Sequence, residues 1–164
     1  MATEYAILAK LGGHVGSNPE IISSFPSIAT IGEETEILNK CFPLGSKVGD
    51  FIEDRFYKHL VLSYIFKVRR EMNRDDLFSL SVLLHKRDKI DIYKPVLKEL
   101  IDILDRNNLL NETILNQYHD TIYEGMNQEK DVYIKDLLVD FSRIFKEIKA
   151  KIFKQKPELK GSFF

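Results

Sequence analysis

Along the first half of the chain, apolar and polar positions change over with a period near two. Tyr5–Lys10 (YAILAK) is a short apolar run that ends at Leu11-Gly12-Gly13, and Glu20–Phe25 (EIISSF) is a second, closed by Pro26. Between them lie Gly12, Gly13, Gly16, Ser17 and Asn18, all turn formers, so the pair predicts a β-hairpin. In Leu60–Val68, Leu60, Leu62, Tyr64, Phe66 and Val68 share one side, with Ser63 and Lys67 opposite. In Leu77–His85, Phe78, Leu80, Val82 and Leu84 share one face, and Ser79 and Ser81 lie on the other, small enough for a helix to pack close. Arg69–Asp76 reads as a charged connection between those two strands. Phe51–His59 is dense in charge and reads either as an edge strand or as a turn-bearing segment. Only Glu33–Phe42 departs from the strand pattern. Its Ile37, Leu38 and Cys41 fall on one helical face, and Pro43 and Gly45 follow as stop signals.

The second half changes to a period near 3.6. A helix is predicted from Pro95, suited to a first turn, to about Asn107, with Val96, Leu97, Leu100, Ile101 and Leu104 as its stripe. Asn111 is a good N-cap for a second helix carrying Ile114, Leu115, Tyr118, Ile122 and Tyr123. A third is predicted over 131–153, capped by Asp131 and striped by Ile134, Leu137, Leu138, Phe141, Ile144, Phe145, Ile148 and Ile152. The tail 154–164 holds Pro157 and Gly161, has no periodicity, and reads as flexible and basic. Strands first and helices last argue one α+β domain over 1–153, built on an antiparallel sheet, with a long C-terminal helix.

Composition agrees with a packed domain. Hydrophobic residues make up 44% of the 164 residues and charged ones 30%, which fits a core under a polar surface. The net charge of −1 argues against a dedicated nucleic-acid binder. The single cysteine, Cys41, excludes an internal disulfide framework and fits a reducing cytosol. Residues 1–10 make a poor signal peptide, because Glu4 and Lys10 flank a short apolar run with no basic stretch before it. The longest uncharged apolar stretch, Leu60–Phe66, is far below the ~20 residues needed to span a bilayer. A cytoplasmic protein is expected, with peripheral membrane contact left open.

Catalytic signatures are absent. A phosphate-binding loop needs a lysine and a following helix, whereas the glycines at 12–16 lead into a strand with no lysine. No G-x-G-x-x-G fingerprint opens a βαβ unit. His14, His59, His85 and His119 lack zinc-ligand spacing. Cys41 has no local base to activate it and reads as a buried side chain. The acidic pairs Glu33-Glu34, Glu53-Asp54 and Asp75-Asp76 read as surface or capping charge. No cofactor, metal or catalytic residue is therefore assigned. The C-terminal stretch is more pointed. From Phe141 to Phe164 seven basic residues stand against two acidic ones, with Phe145, Phe153, Phe163 and Phe164 interleaved. Lys149, Lys151, Lys154, Lys156 and Lys160 are candidate contacts for an anionic membrane surface or an acidic partner, against a plain solvated face.

The order of elements, with the wording of the first hairpin, resembles the longin fold. "ILAKLGG" followed by "PEIISSFP" is similar to the opening of longin-like modules in DENN-type and related trafficking regulators, where the second strand reads roughly P-x-I-x-x-S-[FY]-P. "FKVRREMNRDDLFSLSVLL" is similar to the hairpin of their last two strands. The likeness covers roughly Glu4 to Tyr123. It implies a β-β-α-β-β-β-α-α chain with a five-stranded antiparallel sheet in the order 2-1-5-4-3. It also implies a non-catalytic role: binding small GTPases, coat or tether subunits, or pairing as a homo- or heterodimer with another longin or roadblock domain. The chain lacks the further domains of a full DENN protein and carries an extra C-terminal helix.

Two surfaces are candidate interfaces. One is the exposed sheet edge, open to strand addition. The other is a groove beside the first helix near Phe42, Pro43, Leu44 and Phe51. Two rival readings stay open: a small-molecule-sensing PAS- or GAF-like domain with an interior polar cavity, and a hydrolase using Cys41 or a histidine.

Overall fold

A computed structural model describes residues 3–11, 18–26, 34–69, 75–86 and 88–161, with side chains in the last helix described to Lys154. The chain is α+β. Strands β1 (Thr3–Leu11), β2 (Glu20–Phe25), β3 (Phe51–Phe56), β4 (His59–Val68) and β5 (Asp76–His85) form one sheet. Its order is β2-β1-β5-β4-β3, and every neighbouring pair is antiparallel.

Both faces of this sheet are covered, so β4 and β5 are buried almost end to end. Their even-numbered residues, Leu62, Tyr64, Phe66, Phe78, Leu80 and Val82, join Ala6 and Leu8 of β1 in the main core. On the other face, Ile7, Val61 and Leu83 meet Ile37 and Cys41, and Ala9 and Ile65 meet Phe42. These last three partners come from helix α1 (Glu34–Cys41) and the residue after it. Ser79 and Ser81 do let that helix close in. Ser79 Oγ donates to the Cys41 carbonyl at 2.7 Å, and the Ser63 and Ser81 hydroxyls lie 2.6 Å apart beside it. A buried hydroxyl is tolerated because it is hydrogen-bonded.

The ambiguous segment 51–59 is both things expected of it. β3 is the edge strand, and Tyr57-Lys58 form the two-residue turn into β4, with Tyr57 at φ 53°. The glycine-rich link at 12–17 lies outside the described residues. The strands on either side of it pair antiparallel.

The helical half differs from the periodicity in three places. Helix α2 (Ile90–Arg106) starts five residues before Pro95. A proline there forfeits the bond to the Asp91 carbonyl, and both residues lie on the exposed side of the helix. The single helix expected after Asn111 is two: α3 (Glu112–Gln117) and α4 (His119–Gln128), broken at Tyr118. Asn111 does cap α3, its Oδ1 accepting from Ile114 N at 2.9 Å. The helix expected over 131–153 is the largest correction. Strands β6 (Val132–Ile134) and β7 (Leu137–Val139) form a separate small hairpin, and helix α5 runs Phe141–Gly161. Lys135 turns the hairpin at φ 53°. α5 therefore begins ten residues late, and it continues past Pro157, where an irregular tail was expected.

α2 lies on the sheet through Tyr93, Val96, Leu97 and Leu100. α5 packs on α2, with Phe145 edge-on to Tyr93 at 5.7 Å between ring centres. Full burial of each such side chain is worth about 1.5–3 kcal/mol. The α2–α5 pair is thus a large share of what holds the C-terminal part in place.

Candidate interaction surfaces

The groove proposed beside the first helix does not form from its four residues. Phe42 is buried against Ala9 and Ile65 on the α1 face. Phe51 lies on the opposite face, stacked on Tyr64 at 4.8 Å. Pro43 is half-buried, and only Leu44 stands free, 94% exposed. The reason is strand parity: Phe51 pairs with Tyr64, so its side chain shares the Tyr64 face.

Leu44 sits in a shaped loop. The Ser46 hydroxyl donates to the Pro43 carbonyl at 2.6 Å, and Lys47 N donates to Asp50 Oδ2 at 2.8 Å. Gly49 N donates to the Ile65 carbonyl at 2.8 Å, and Ile65 N donates to the Asp50 carbonyl at 3.0 Å, which fastens the loop to β4. Gly45 and Gly49 take φ of 84° and 90°, values that disfavour any residue with a Cβ. Val48 in the same loop is 53% exposed. The loop thus presents two apolar side chains from a backbone held by these four hydrogen bonds, two within the loop and two to β4.

Both sheet edges are guarded. β3 carries Glu53, Asp54 and Arg55 in succession, all exposed. Lys94 reaches Glu53 at 2.6 Å and Lys40 reaches Asp54 at 3.3 Å. Arg55 N donates to Asp54 Oδ1 at 2.8 Å, so a side chain already occupies that N–H. Charge and pre-empted donors are the usual means of blunting an edge. β2 lies between Pro19 and Pro26, and its Phe25 packs on Tyr123 of α4 at 5.1 Å.

The basic face of α5 is smaller than its sequence implies. Lys149 is bound to Glu129 Oε1 at 2.5 Å and lies over the Phe145 ring. Lys151 and Lys154 are exposed, and the side chains of Lys156 and Lys160 lie outside the described residues. Among the described residues no helix is long and apolar enough to cross a membrane.

The titratable residues are spread out. His59 is buried with its Nδ1 against Glu4, His85 is exposed, and His14 lies outside the described residues. His119 is buried, and its Nε2 bonds the Ala6 carbonyl of β1 at 2.8 Å. Burial holds its pKa below the ordinary histidine value, with the Ala6 bond working the other way. Burial pushes the Cys41 thiol up to about 12, so it carries no thiolate near neutrality. Among the described residues no three His, Cys, Asp or Glu side chains group as a metal site.

Two surface clefts flank the α2–α3 turn. One of about 400 Å³ is lined by Lys67, Arg69, Asp105, Asn108 and Leu110. One of about 330 Å³ is lined by Asn107, Leu109, Lys135, Asp136 and Leu137. Sequence periodicity missed both, because each gathers residues from the ends of different elements and the turns beside them, which share no repeat. No known family model matches this chain. Nor does any curated protein match it closely enough to stand as a relative.

Proposed function

We propose that this chain is a non-catalytic interaction module of longin type, which binds a small GTPase or pairs with another longin or roadblock-type domain in a trafficking or tethering assembly. The observation that carries this reading is the sheet order β2-β1-β5-β4-β3, with α1 on one face and α2 and α4 on the other. That order puts the first and last strands side by side in the middle, as the likeness at the first hairpin implies. Leu44 is the anchor of the docking surface in this reading, with Val48 beside it. An exposed leucine on a pre-shaped loop offers apolar burial to a partner at little ordering cost.

The test is affinity capture with this chain against a panel of small GTPases, each loaded with GDP or with a non-hydrolysable GTP analogue. Retention of at least one GTPase in a nucleotide-dependent way is expected, and Leu44→Glu is expected to lose it. Absence of retention for every member would count against the GTPase reading.

A further inference from the structure

The cleft of about 400 Å³ beside the α2–α3 turn has an arrangement of charge that interaction surfaces do not need. One side is cationic: Lys67, near the end of β4, and Arg69, just beyond it. The other is anionic and polar: Asp105 in the last turn of α2, and Asn108 two residues past its end. Lys67 is held loosely by Asp75 at 3.9 Å. Arg69 and Asp105 line the same cleft, yet among the described residues neither side chain forms an ion pair, with the other or with anything else. Opposite charges that face one space without closing on each other leave a gap for a ligand that bears both.

We infer that this cleft binds a small zwitterion, a molecule with a carboxylate and an ammonium a few bonds apart, as in a free amino acid. Arg69 offers the carboxylate a planar fork of donors, which favours two parallel hydrogen bonds. Asp105 takes the ammonium, and the negative end of the α2 dipole supports it there. Asn108, fixed at φ 57°, brings an amide to the same wall, and Leu110 supplies apolar surface for a side chain. A simple anion would be repelled by Asp105 and the helix end. A simple cation would be repelled by Lys67 and Arg69. The volume lies in the usual range for small-ligand sites. This inference is independent of the docking role, which rests on Leu44 at another surface.

Calorimetric titration of the full chain tests it, with glycine, leucine, glutamate and lysine as probes and with acetate and ethylammonium as single-charge controls. At least one amino acid is expected to bind saturably, and both controls about tenfold more weakly or not at all. Arg69→Ala and Asp105→Ala are each expected to weaken that binding about tenfold with the melting temperature unchanged, since both side chains are exposed. The double exchange Arg69→Asp with Asp105→Arg is expected to restore part of it, the ligand binding in reverse. No saturable binding by any amino acid would overturn the inference. So would acetate binding as tightly, or either alanine variant binding like the parent.

Discussion

Gly125 in α4 shows how a single missing methyl group sets a helix contact. A Cβ built there would lie 2.6 Å from Phe141 Cδ2 and 3.1 Å from Val132 Cγ1. Phe141 is fully buried, so its ring has nowhere to retreat. Gly125→Ala is expected to lower stability by about 2 kcal/mol, since overpacking outweighs the gain in helix propensity. Urea unfolding followed by circular dichroism reads this directly, and an unchanged midpoint would show that the ring yields. His119 gives a second residue-scale outcome. Its folded pKa is depressed, so the unfolded chain binds more protons as pH falls below the unfolded value of about 6.5. The stability it contributes is present above about pH 6.5 and is lost as pH falls through the folded value. His119→Gln, measured by thermal melts between about pH 7.5 and 5, is expected to flatten that part of the profile.

At the scale of elements, the region 131–140 is where periodicity misleads. Ile134, Leu137, Leu138 and Phe141 fall at helical spacing, but Val132 and Ile134 are buried while Tyr133 between them is 65% exposed. The two periods coincide over so short a window, and Lys135 at positive φ settles the hairpin. Asp131 was legible as a cap but for the wrong start. Its Oδ1 accepts from the backbone N–H of Ser142 at 3.1 Å and from the Ser142 hydroxyl at 2.6 Å, in the first turn of α5. It reaches that turn because the hairpin folds it back there. Asp131→Ala is therefore expected to cost about 1 kcal/mol. Loss of amide protection in the first turn of α5, read by hydrogen exchange, distinguishes this from an effect on the hairpin alone. Pro95 misleads in the opposite sense. Its preference for a first turn is real, but it is weaker than the burial of Ile92 and Tyr93, which draws the helix back to Ile90.

At the scale of the molecule, β4 and β5 were readable from their parity, with Leu62, Tyr64 and Phe66 inward on one face, and α1 from the helical face of Ile37 and Cys41, while β3 stayed open between strand and turn because its charged residues face out at the edge. The surfaces were less so. Phe42 and Phe51 are nine residues apart and both aromatic, and nothing in their spacing reveals that they lie on opposite faces of a sheet. Lys149 reads as free charge until Glu129, twenty residues earlier, is found beside it. Leu44 was visible as an apolar residue after a helix stop, while its exposure follows from the turns at Ser46 and Asp50. The proposed docking of a GTPase or a like domain through that loop is open to calorimetric titration of a captured GTPase into the parent chain and into Leu44→Glu. At 94% exposure the substitution leaves the fold intact, and surface changes of this kind stay within about 0.5 kcal/mol. Saturable binding to one nucleotide state by the parent and at least about tenfold weaker binding by the variant are expected. Equal binding by both chains, or binding by neither, would contradict that docking.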